Sequence, residues 1–95
     1  MNLRPQPRAE RARLSTEAVA RCGLKRGTVE VVDLSLSGVK LRTLDLLDVG
    51  SLLWLKLPKL EPLEVRVVWS RNFEAGCEFI RPLHPAVAKV VAGLQ

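Results

Sequence analysis

Between Arg13 and Ile80 run six apolar-rich stretches, most of them alternating apolar with polar residues and the second rich in β-branched ones, separated by glycine, proline, asparagine or aspartate. A period of two puts one side of an extended chain in a core and the other in water, so each stretch predicts a half-buried strand. The stretches fall at 13–22, 28–34, 39–43, 51–57, 63–70 and 75–80. In the first, Leu14, Thr16, Ala18, Ala20 and Cys22 share one parity and Val19 falls out of phase; in the fourth, Leu53, Leu55 and Leu57 share one. The fifth is the most regular, with Leu63, Val65, Val67 and Trp69 in phase. Residues 23–27 read as a turn, Ser37-Gly38 as a second, 45–50 as a loop, and Pro58 and Pro62 bracket another turn. Gly76 predicts a bend or bulge in the last strand.

After His84-Pro85 the texture changes. Ala86, Val87, Val90, Val91 and Leu94 recur at three-to-four spacing, and proline suits a first helical turn, so a short amphipathic helix is expected over 85–94. Six short strands with frequent turn signals, then one helix, define the expected fold: an all-β, six-stranded antiparallel barrel with a short C-terminal α-helix. Closing the sheet removes edges that such apolar strands would otherwise expose.

A chain of 95 residues is long enough for one modest core. We expect a basic N-terminal arm over 1–12, marked by two prolines and no apolar period, and a single barrel domain over 13–95. No apolar stretch approaches the ~18–20 residues of a membrane span. The net charge of +5 is carried entirely by the first 26 residues, where seven basic groups face two acidic ones; the remainder holds eight of each. Such an arm calls for an anionic partner: a phosphate ligand, nucleic acid, a membrane surface or an acidic protein. Arg4 and Arg8 lead into further charge rather than an apolar signal region, which predicts a cytoplasmic protein. There Cys22 and Cys77 would stay reduced, and their apolar settings predict small core residues.

Enzymatic chemistry is not expected. The lone histidine, His84, reads as a capping or surface residue, no second histidine or cysteine stands at metal-ligand spacing, and the acidic residues are scattered. Nucleic acid is not an expected partner either. Trp54, Trp69, Phe73 and Phe79 are the only aromatics, and at least two fall in core phase, leaving little platform for stacking bases. Leu44, Leu46 and Leu47 form a partner surface or cap a barrel end.

One segment carries more than packing. Asp33-Leu34-Ser35-Leu36-Ser37-Gly38 reads D-x-S-x-x-G: a carboxylate able to accept from a guanine edge, a hydroxyl, and a glycine permitting close backbone approach. Alone, such a run is also an ordinary serine turn between strands. Upstream, Arg4-Pro5-Gln6-Pro7-Arg8 supplies R-x-x-x-R, and Arg11 follows three positions on. Guanidinium groups stack on bases, grip guanine O6 and N7, and pair with phosphates. Downstream, Val65 to Trp69 is followed by Gly76-Cys77-Glu78-Phe79, an apolar strand ending in tryptophan and then G-x-x-F.

Together these segments resemble the PilZ domain family, bacterial receptors of cyclic di-GMP. The resemblance implies a sensor or adaptor that is not an enzyme and needs no cofactor, acting on a downstream protein the sequence does not name. It implies that Arg4, Arg8 and Arg11 close over the ligand from the arm while Asp33, Ser35 and Gly38 hold it from the sheet. Trp69 is the implied stacking residue, although its phase with Leu63, Val65 and Val67 reads first as core. A PilZ-like adaptor that binds no nucleotide is the alternative.

Overall fold

The computed structural model describes residues 12–92. It contains β1 (Ala12–Cys22), β2 (Lys25–Leu34), β3 (Gly38–Arg42), β4 (Leu52–Lys56), β5 (Leu63–Arg71), β6 (Glu74–Phe79) and α1 (Pro85–Ala92). The strands close into an antiparallel barrel in the order β1-β2-β3-β6-β5-β4. The expected six-stranded barrel and terminal helix are both present.

The core is the inward parity of each strand. Val29, Val31 and Leu34 of β2, Val39 and Leu41 of β3, Leu53 and Leu55 of β4, Val65 and Val67 of β5, and Cys77 and Phe79 of β6 are buried together. Leu57 and Leu83, just beyond β4 and β6, complete it. At the start of α1, Ala86 N donates to His84 Nδ1 at 3.1 Å and Val87 N to the His84 carbonyl at 2.9 Å, so His84 is the helix cap. Val87 packs on the core, whereas Ala86 and Val90 of the expected apolar stripe are exposed.

Several expectations need correction. The turn predicted over 23–27 is only Gly23-Leu24, and Lys25, Arg26 and Gly27 already belong to β2. Gly23 takes φ 61°, the positive φ that a two-residue hairpin loop needs at its first position, so the ladder runs to its last rung, Cys22 opposite Lys25. Cys22 is exposed rather than a core residue, because this hairpin end projects past β1's pairing with β4 at Val19, Ala20 and Arg21. Cys77 is buried, as expected. Strand β1 begins at Ala12, the last residue assigned to the arm. The remaining correction concerns Trp69 and creates the site.

Candidate functional site

Two irregularities bring the site residues to one face. In β2, Val31 pairs with Leu41 and Asp33 with Lys40, so Val32 has no counterpart on β3. In β5, Val67 pairs with Cys77 and Trp69 with Gly76, so Val68 has no counterpart on β6. Each extra residue is a β-bulge, and a bulge advances the side-chain phase by one position. Strict alternation would turn Asp33 inward with Val29 and Val31, and Trp69 inward with Val65 and Val67. Past the bulges the phase is reversed: Leu34 is buried at 3%, and Asp33 and Trp69 reach the outer face. The reading of Trp69 as core is therefore wrong.

The registers then align one rung across five strands. Arg13 lies opposite Asp33, Asp33 opposite Lys40, Lys40 opposite Gly76, and Gly76 opposite Trp69. Opposed residues on a common face are neighbours, so Asp33, Lys40 and Trp69 form a row with Gly76 as a gap in it. The Trp69 indole fills that gap: a Cβ at Gly76 would overlap Nε1, Cε2 and Cδ1 of the ring. The Arg71 guanidinium lies 5.5 Å from the ring centroid, a cation–π contact.

Along this row runs a cleft of about 350 Å³, bordered by Asp33, Ser35, Gly38, Lys40, Trp69 and Gly76. A second groove of about 410 Å³ adjoins it, sharing Asp33 and Lys40 and adding Arg42 and Glu74. The first is walled largely by apolar atoms and the indole; the second is charged. On the outer face Arg42 pairs with Glu30 at 3.0 Å and reaches Glu74 at 4.0 Å, and Lys40 lies 3.8 Å from Glu74. These half-exposed pairs contribute little to stability and leave the cations able to exchange partners.

The loop at the rim explains the motif residue by residue. Ser35 Oγ accepts from the backbone N–H of Gly38 at 3.2 Å and of Ser37 at 3.3 Å, while Ser35 N donates to the Gly38 carbonyl at 2.9 Å. The serine therefore closes its own turn, the ordinary role of such a hydroxyl. Gly38 is required by proximity: a Cβ there would stand 2.6 Å from the Cys77 carbonyl oxygen, so any side chain would push β3 away from β6. The loop is tied onward by Phe79 N to Ser37 O at 2.8 Å and Leu83 N to Leu36 O at 2.9 Å.

Asp33, Ser35, Gly38 and Trp69, four of the residues singled out in the sequence, thus border one cleft. Arg4, Arg8 and Arg11 lie outside the described residues. Lys40, Gly76 and Arg71 were not singled out as site residues. The signal that finds them is doubled valine: Val31-Val32 precedes Asp33 and Val67-Val68 precedes Trp69. Two adjacent β-branched residues that break alternation mark each bulge. Among the described residues no group of three or more histidine, cysteine, aspartate or glutamate side chains is placed to hold a metal ion, and no helix is long and apolar enough to cross a membrane.

Fold and cleft together define a small closed β-barrel with a lateral cleft, built on strand exteriors rather than in the barrel mouth. The chain belongs to the PilZ domain family, whose model matches residues 3–94. No curated protein matches it.

Proposed function

We propose that this domain is a receptor for cyclic di-GMP and acts as a sensor rather than a catalyst. The observation that carries the reading is the rung itself: two separate bulges bring Asp33 and Trp69 out of core phase to opposite ends of one cleft. A cyclic dinucleotide needs a π-face for a purine, a carboxylate for the guanine N1–H and N2–H₂ edge, and cations for two phosphates. Trp69 supplies the first and Asp33 the second. Lys40, between them, serves a phosphate as a point charge, and Arg4, Arg8 and Arg11 close over the ligand from the arm. Gly38 lets the backbone approach closely, and Ser35 holds the rim in shape while presenting its hydroxyl to the cleft. Ordering of the arm on binding alters the surface offered to a downstream protein, and part of the binding free energy is used in that ordering.

The second reading is an adaptor that recruits a protein without nucleotide. It is favoured by one observation: the Ser35 hydroxyl already has partners within its own turn. Calorimetric titration with cyclic di-GMP at fixed moderate salt decides between them, with cyclic di-AMP and Arg8→Ala as controls. Saturable, guanine-selective binding that Arg8→Ala abolishes establishes the receptor. No heat and no thermal shift at high ligand concentration overturns the receptor, favours the adaptor and directs the search to protein partners.

A further inference from the structure

The five large apolar side chains most open to solvent among the described residues all lie at one end of the barrel. Leu24 is 104% exposed, Leu44 89%, Leu46 80%, and Val49 and Phe73 67% each, while every other exposed large apolar residue is at 51% or below. Leu24 tips the β1–β2 hairpin, Leu44, Leu46 and Val49 belong to the β3–β4 loop, and Phe73 belongs to the β5–β6 turn. In an antiparallel barrel these three connections share one end, opposite the 35–37 loop. Two bonds tie the β3–β4 loop to the β5–β6 hairpin: Thr43 N donates to the Phe73 carbonyl at 2.9 Å, and Leu47 N to Ser70 Oγ at 3.2 Å. Leu47 itself packs on the core, so the capping role falls to it alone of the three loop leucines. Isolated exposed apolar side chains need no explanation, but five gathered on three loop tips at one barrel end do.

Phe73 adds an independent sign. It and Asn72 take φ 64° and 53°, the left-handed pair of a two-residue hairpin turn, for which Asn-Gly is the natural choice. A bulky residue is strained there, and a ring left 67% exposed returns little to folding.

Around the β1–β2 tip the charge is basic: Arg21, Lys25 and Arg26 are exposed and flank Leu24, against Asp45 and Asp48 on the β3–β4 loop, whereas around Leu44 and Phe73 the exposed Arg42 and Arg71 are matched by Glu17, Glu30 and Glu74. We propose that this end docks on an anionic phospholipid surface. Leu24, Leu44, Leu46 and Phe73 enter the interface, and Arg21, Lys25 and Arg26 meet the headgroups. A deformable interface accepts separate protruding tips, and the three cations around Leu24 give the preference for anionic lipid.

The test is co-sedimentation with vesicles of phosphatidylglycerol and phosphatidylcholine in equal parts, against pure phosphatidylcholine, with sedimentation velocity of the free protein alongside. Leu24→Ser removes a side chain that is fully exposed, so its fold is safe, and Phe73→Gly suits the turn better than the native residue. The expected result is binding to anionic vesicles only, weakened at least tenfold by either substitution and lost at high salt. Absence of vesicle binding overturns the proposal. So does binding that both variants retain, which assigns it to the basic N-terminus. Concentration-dependent self-association that either variant abolishes, without vesicle binding, assigns the tips to a second copy of the chain and overturns it equally.

Discussion

Trp69 lies directly over Gly76, so closely that the space a β-carbon would need is occupied by the pyrrole edge of the indole. The pairing is specific to the register: the Val68 bulge brings the tryptophan to this rung, and the absence of a side chain at residue 76 lets the ring settle against the sheet. Gly76→Ala should therefore lift the indole and cost about 1–3 kcal/mol through overpacking. In a Trp54→Phe background, Trp69 emission should shift to the red and cyclic di-GMP affinity should fall at least tenfold. Unchanged emission and affinity would show that the ring's seat is unimportant.

The bulge separates residue identity from residue count. Val68→Ala should be nearly silent, within about 0.5 kcal/mol, since Val68 is half exposed. Deleting Val68 should leave Trp69 on the outer face, because Val67 inward and Trp69 outward, opposite Cys77 and Gly76, is then plain alternation without a bulge. Thermal unfolding and Trp69 emission make the comparison, and loss of cooperative unfolding or a blue-shifted, buried indole in the deletion variant would contradict the phase argument.

Ser35→Ala tests the division between turn and ligand. Losing an acceptor for the Gly38 and Ser37 amides should lower stability by about 1 kcal/mol while leaving the barrel cooperative. Asp33→Ala should weaken the ligand more than it weakens the fold. Loss of cooperative unfolding in either variant would reassign that residue to structure alone.

Cys77 predicts an alkaline limit. Burial pushes its thiol from 9.0 to about 12, whereas the unfolded chain ionises it at the lower value. Between those values the folded form holds the extra proton. The contribution is therefore complete below about pH 9 and declines as pH rises toward 12, by roughly 1.4 kcal/mol per unit. Urea unfolding at pH 8 and pH 10 should show the decline, and Cys77→Ala should remove this part of it. At pH 8 a thiol reagent should label exposed Cys22 and spare Cys77 until the protein unfolds.

The strands were legible because alternation is a direct imprint of a two-sided sheet: Leu53, Leu55 and Leu57, or Val65 and Val67, could belong nowhere but a core. The same rule failed at Trp69, since parity counts residues along a strand and cannot register one that has no partner across from it. Cys22 failed for a related reason: parity states which side a residue faces, and this hairpin end has no core beside it. The cleft was half legible. Asp33, Ser35 and Gly38 sit together in the chain, whereas Lys40, Gly76 and Arg71 join them only through pairing between strands. For Gly38 the demand came from a carbonyl 39 positions later in the chain, at Cys77, which no local pattern contains.

The rung also has a history within each folding event. Asp33 and Lys40 share the β2–β3 hairpin, and Trp69 and Gly76 share the β5–β6 hairpin, so each half of the cleft forms from local contacts. The halves meet along the β3–β6 ladder, a closure of high sequence separation and correspondingly slow to form. A ligand spanning Asp33 and Trp69 would lie across that seam as a clasp. It would add nothing to either hairpin alone, would act after the two had docked, and would slow unfolding rather than hasten folding.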